Sequence, residues 1–139
     1  MNIEEVTMPT LKSTFAIDNW DENEILEADG GPKVTRALVT RSFTGDLEGE
    51  GSIEWVMGYD ESGSATFVGL ERFVGKVDGK NGSFVLRHVG SFDGQTAQAE
   101  LLVVPDTGAG DLAGIRGEGS FQAEMGPEGE RNLSLEYEV

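Results

Sequence analysis

Through most of the chain apolar residues recur at every second position, the period of a strand with one buried and one wet face. In SIEWVMGY, Ile53, Trp55, Met57 and Tyr59 share one face, with Ser52, Glu54 and Gly58 on the other. SFQAEM sets Phe121, Ala123 and Met125 against Ser120, Gln122 and Glu124. LSLEYEV sets Leu133, Leu135, Tyr137 and Val139 against Ser134, Glu136 and Glu138. Continued along the chain, the pattern predicts eight strands, near 11–18, 34–44, 51–59, 65–76, 81–91, 95–104, 116–125 and 132–138. The acidic, turn-rich stretch DNWDENEILEADGGP between the first two reads as a loop, with room for at most a helical turn at Glu24–Ala28.

A weak internal repeat supports this count. GDLEGEGSIEW, GKVDGKNGSFVLR and GDLAGIRGEGSFQAE each place a Gly-rich turn before a Gly-Ser-apolar strand start, which gives three related hairpins. Gly51, Gly75, Gly82, Gly117 and Gly119, just inside the strands, suit the bulges and sharp coiling by which a sheet closes. Eight hairpin-linked strands with one apolar face each predict an all-β fold: an eight-stranded antiparallel up-and-down barrel, its acidic loop at the mouth. An antiparallel sandwich is the alternative.

The hairpin VGLERFVGKVDGKNGSFVLRHVGSF carries Glu71 and His88 among its apolar positions. With Asp78-Gly79 as a two-residue type I′ turn, Val77 pairs with Lys80, Phe73 with Phe84, Glu71 with Leu86 and Gly69 with His88. One face then holds Phe67, Gly69, Glu71, Phe73, Phe84, Leu86 and His88; the other holds Val68, Leu70, Arg72, Val74, Ser83, Val85 and Arg87. The repeat aligns Phe84 with Ile53 and Phe121, so Glu71 and His88 are expected to point into the barrel. A bulge at Gly75 or Gly82 would reverse that assignment. A register of Ala37, Val39, Arg41 and Phe43 on the second strand puts Arg41 inside as well.

At 139 residues the chain suits one domain, spanning 1–139. Its formal charge of −16, from 26 acidic and 10 basic residues, repels phosphate backbones and anionic membranes, so neither nucleic acid nor membrane is an expected partner. The absence of cysteine removes disulfides and thiolate chemistry, and a single histidine removes multi-His metal sites. No cofactor and no metal are expected. The opening MNIEEVTMPTLKS has neither a basic nor an apolar signal region, and no stretch reaches about 20 apolar residues, so the expected location is cytoplasmic.

Other motifs carry less. GAGDLAG has the spacing of a dinucleotide fingerprint, but no helix-forming run follows it. The acidic run Asp18, Asp21, Glu22, Glu24, Glu27 and Asp29 lacks the spacing and the glycine of an EF-hand and reads as a solvated loop.

FTGDLEGEG, the hairpin above, VVPDTGAGDLAGIRGEGSF and the closing LEYEV together resemble the bacterial DUF3224 family of unknown function, whose members resemble allene oxide cyclase in fold. The resemblance runs from Phe15 to the C-terminus and implies an allene-oxide-cyclase-like, calycin-like barrel. It further suggests a cofactor-independent isomerase or cyclase acting on a small apolar molecule, polyketide- or lipid-derived, held inside. Glu71 and His88 are then the candidate catalytic pair, because an imidazole and a desolvated carboxylate can exchange a proton near neutral pH. The candidate ligand-binding residues are Arg41, Trp55, Met57, Tyr59, Phe67, Phe73, Phe84, Leu86, Phe121 and Tyr137, with the tyrosines as hydrogen-bond donors and Arg41 facing an anionic group. The alternative is a non-catalytic carrier with the same cavity. A third reading is a filled barrel whose outer Val68, Leu70, Val74, Val85 and Val89 form a homo-oligomer interface.

Overall fold

Asp78 and Gly79 take φ angles of 48° and 83°, the positive values that a type I′ turn requires at both central residues. The turn sets the register expected from sequence: Val77 opposite Lys80, Phe73 opposite Phe84, Glu71 opposite Leu86 and Gly69 opposite His88. The computed structural model describes residues 8–26 and 32–139. Its strands are β1 (Thr10–Leu26), β2 (Val34–Gly45), β3 (Leu47–Tyr59), β4 (Ala65–Val77), β5 (Lys80–Phe92), β6 (Thr96–Val103), β7 (Ala109–Gly110), β8 (Arg116–Glu124) and β9 (Arg131–Glu138). The eight long strands pair in the order β4-β3-β2-β1-β9-β8-β6-β5, and β5 pairs back onto β4, so the antiparallel barrel closes. The two-residue β7 continues the ladder beside Gly82 and Ser83 of β5, below the end of β6.

Alternation decides inside from outside. Ile53, Trp55, Met57, Phe67, Phe73, Phe84, Leu86 and Phe121 are all buried, whereas Val68, Leu70 and Val74 on the other face of β4 are about half exposed. The end of the barrel near the Asp78-Gly79 turn is plugged by the turns after β7, whose Leu112 and Ile115 are buried with Leu47 and Val77. Side chains from facing strands fill the axis, as the diameter of an eight-stranded barrel permits.

Two expectations need correction. From Asn19 to Leu26 the expected loop is instead the second half of β1, laddered to β2 as far as Leu26 opposite Val34. A register shift between Ile17 and Asn19 inverts the parity, so Trp20 and Glu22 stand opposite the inward Val39 and Ala37. Period two breaks there, which is why the strand is invisible to a periodicity argument. The helical turn expected at Glu24–Ala28 is strand through Leu26, and Glu27 and Ala28 lie outside the described residues. The second correction concerns the strand glycines. The β3–β4, β4–β5 and β8–β9 ladders run without a register shift, so Gly51, Gly75, Gly82, Gly117 and Gly119 mark no bulge. They are crowding sites: a Cβ on any of them would lie 2.0–2.3 Å from a neighbouring atom.

Candidate functional site

Three cross-strand rows inside the barrel build a polar cluster. Glu71 of β4 lies between Ile53 and Leu86; Arg41 of β2 sits opposite Gly51 on the next row; Trp55, Gly69 and His88 make the third. Both glycines are what lets the polar groups meet. Gly51 leaves the space into which Glu71 reaches past β3 toward Arg41, and Gly69 leaves room for the Trp55 indole to reach His88.

Arg41 donates from Nε to Glu71 Oε2 at 2.7 Å and from Nη2 to Oε1 at 2.5 Å, a two-pronged buried ion pair. Its guanidinium lies over the rings of Phe15, Phe43 and Phe121 at 4.5, 4.8 and 4.8 Å. Trp55 donates from Nε1 to His88 Nδ1 at 3.1 Å, and His88 Nε2 lies 2.9 Å from Glu71 Oε1. An indole nitrogen only donates and a carboxylate only accepts, so Nδ1 is bare and Nε2 carries the proton. His88 is therefore the neutral Nε2–H tautomer, fixed from both sides.

The electrostatics agree with that assignment. Burial works to raise the Glu71 carboxyl, but the Arg41 charge and the hydrogen bonds from His88 and Arg41 outweigh it and hold the group down at about 2. For His88 burial dominates and pushes the pKa down, with Arg41 adding to the effect and Glu71 opposing it. Glu71 is thus a weak base at neutral pH. Protonating His88 would put a second proton against the Trp55 N–H.

A second, partly exposed polar group sits at the rim of the barrel, where β1 rises past Asn132, the first β9 residue to pair with it. Glu22 accepts from Thr35 Oγ1 at 2.7 Å, from Trp20 Nε1 at 2.9 Å and from the Tyr59 hydroxyl. The carboxylate lowers its own pKa through these bonds against the opposing effect of burial, and burial with the Glu22 charge pushes Tyr59 up to about 12. Trp20 packs edge-on against Trp55 at 5.3 Å, which links this mouth to the His88 cluster. Sequence reasoning named neither Trp20 nor Thr35. Trp20 is hidden by the bulge, which no pattern announces, whereas Thr35 continues the alternation of Ala37, Val39, Arg41 and Phe43 by one step.

Among the residues singled out from sequence, Glu71, His88, Arg41, Trp55, Met57, Phe67, Phe73, Phe84, Leu86 and Phe121 all point inward and are buried. The two tyrosines do not join them at one site. Tyr59 belongs to the mouth, whereas the Tyr137 hydroxyl donates to Asp78 at the other end. Arg41 faces Glu71, within the protein. Among the described residues no three His, Asp or Glu side chains gather closely enough to hold a metal ion, and no helix is long and apolar enough to cross a membrane.

A broad, open concavity lies outside the barrel. A groove of about 1020 Å³ crosses the outer faces of β5, β6, β8, β9, β1 and the end of β2. Along it Ser91, Gln98, Gln122, Asn132, Thr14 and Thr44 stand opposite one another strand by strand, a row of uncharged hydrogen-bonding side chains on an acidic protein.

A family described as "Protein of unknown function (DUF3224)" matches residues 11–137. The crystal structure of a DUF3224 protein of unknown function from Shewanella oneidensis MR-1 is similar at 29% identity and a TM-score of 0.78, over 95% of this chain and 97% of that one. No curated protein matches the chain.

Proposed function

The chain belongs to the DUF3224 family, and from the shape and lining of its outer groove we propose that it is a non-catalytic small-molecule-binding barrel whose ligand lies there. The observation that carries this reading is the groove itself. Its volume of about 1020 Å³ lies just beyond the roughly 300–1,000 Å³ of small-molecule sites. Its wall offers amides and hydroxyls, with Lys12 and Glu100 as the charged side chains among the residues that line it. That chemistry suits an uncharged ligand with several hydrogen-bonding groups on a carbon skeleton.

The isomerase or cyclase reading has less support. It needs a substrate against Glu71 and His88, yet both are fully buried and each is already engaged on both sides. An apolar ligand inside the barrel meets the same obstacle, since the inward side chains occupy the axis.

A screen of small neutral polyols, amides and glycosides by ¹H–¹⁵N NMR tests the proposal. Binders are expected to shift the amides of Ser91, Gln98 and Gln122, and the outward substitution Ser120→Trp is expected to abolish those shifts while leaving the rest of the spectrum intact. No binder in the screen, shifts centred on Trp55 and Phe67, or binding unaffected by Ser120→Trp would overturn it.

A further inference from the structure

The strands of a closed barrel are staggered, which leaves a stretch of strand edge at each end, and the two ends of this barrel differ in what fills it. At the plugged end β5 pairs with β6 only from Leu86 onward, and the chain itself takes up the stretch before it. Ala109 and Gly110 of β7 stand opposite Ser83 and Gly82, the Asp111 N–H donates to the Asn81 carbonyl and the Val104 N–H to that of Val85. The Val85 N–H in turn donates to Thr107 Oγ1 at 3.0 Å. At the mouth β1 pairs with β9 only from Thr10 to Thr14, but with β2 from Ser13 to Leu26. Among the described residues no backbone group from Ala16 to Ile25 bonds to anything on the side away from β2.

Every second residue of an antiparallel strand turns both its N–H and its C=O to the same side, so this edge, roughly 30 Å long, offers about five such pairs. Its side chains are exposed apart from the partly buried Ile17 and Glu22. A free edge is a template for pairing with a second copy, and charge is one guard against that. Asp18, Asp21, Glu22 and Glu24 lie on this edge with no lysine or arginine between Ala16 and Ile25. Two copies meeting edge to edge would set these carboxylates against their like in chains of charge −16. The same charge attracts a basic strand.

From the unfilled edge and its charge of one sign, we infer that the second half of β1 accepts an extended, lysine- or arginine-rich segment of another protein as an added β-strand. Asn19–Glu24 is the part that receives it, because this run ladders to β2 without a register shift between the irregularities on either side. An added strand would present alternate side chains to the mouth, beside Trp20, Glu22 and Glu24, and to the outside, beside Asp21. A cation on either row meets a carboxylate. Glu22 is held in place by Thr35, Trp20 and Tyr59, and Trp20, 37% exposed, offers a ring face to the stem or head of a lysine or arginine.

Fluorescence anisotropy with a labelled peptide of alternating lysine and valine tests the inference. The peptide is expected to bind in the micromolar range and its glutamate–valine counterpart not to bind, with ¹H–¹⁵N shifts centred on Asn19–Glu24. The double variant Asp21→Lys/Glu24→Lys is expected to weaken binding at least tenfold at an unchanged melting temperature. Charge attraction alone would give part of this, so the strand itself is tested by N-methylating every second amide of the peptide, in one phase and then in the other. The phase that blocks the amides facing β1 is expected to lose at least tenfold in affinity, and the other to keep it. Equal affinity of the two methylated peptides, shifts centred on Ser91, Gln98 and Gln122, no binding, or a dimer of the chain formed through β1 would overturn the inference.

Discussion

Replacing Glu71 by glutamine is expected to lower the stability of the fold by about 3–5 kcal/mol, the cost of stranding a buried charge. Arg41 keeps its guanidinium, 1% exposed, and loses the only anion within reach of it in the ion pair. The three phenyl rings around it remain, but a ring quadrupole contributes about 2 kcal/mol at most to a desolvated cation. The amide also cannot copy the hydrogen bonds. The carboxylate accepts from Arg41 Nε, Arg41 Nη2 and His88 Nε2, using both oxygens. Glutamine has one acceptor oxygen, and its NH₂ would face a donor whichever way it turns. Urea denaturation measures the loss. Adding Arg41→Met to Glu71→Gln removes the stranded charge and is expected to recover part of it. An unchanged midpoint in the single variant would show that the ion pair is not what holds these strands together.

Gly51→Ala is expected to cost about 3 kcal/mol, the upper end of the range for overpacking a core. The added Cβ would lie 2.0 Å from Glu71 Oε2, 2.9 Å from its Cδ and 3.1 Å from Phe43 Cε2. A carboxylate at a surface would swing aside. This one is held by Arg41 on one side and His88 on the other, so the clash forces the ion pair apart. Gly58→Ala on the same strand is the control, because nothing lies within 4 Å of the Cβ it would add. Its midpoint is expected to stay within about 0.5 kcal/mol of the parent, as for most exposed changes. Equal effects from the two substitutions would mean that strand propensity, not the Glu71 contact, sets the cost.

The β4–β5 hairpin was legible in the sequence because a turn of fixed geometry and a repeated Gly-Ser-apolar anchor both constrain its register. Glu71, His88 and Arg41 could be assigned to the interior for the same reason. What could not be read was who meets whom. Arg41 and Glu71 lie on strands separated by β3, and their meeting depends on Gly51 lacking a side chain, a third-strand detail without a local signature. Trp55 reads as an apolar core residue, and only the absence of a side chain at Gly69 lets its N–H find His88. The second half of β1 was lost because the shift at Asp18 moves its inward set from odd to even positions, where Trp20 and Glu22 break the alternation. Leu112 and Ile115 act as a plug through turns whose packing depends on Gly82, and pairwise periodicity carries no information about that.

His88 is a locked, neutral member of a structural cluster. It is the only histidine in the chain, so a long-range ¹H–¹⁵N spectrum of the imidazole reports on it without assignment. The expected result is a protonated Nε2 and a bare Nδ1, unchanged as pH falls through the ordinary histidine pKa near 6.5. The unfolded chain takes up a proton at His88 near that pH and the folded chain, its His88 pKa lowered by burial, does not, so stability should decline as pH drops through 6.5. An imidazole that titrates near 6.5 in the folded protein, or that carries its proton on Nδ1, would contradict the account and restore His88 as a group free to move protons.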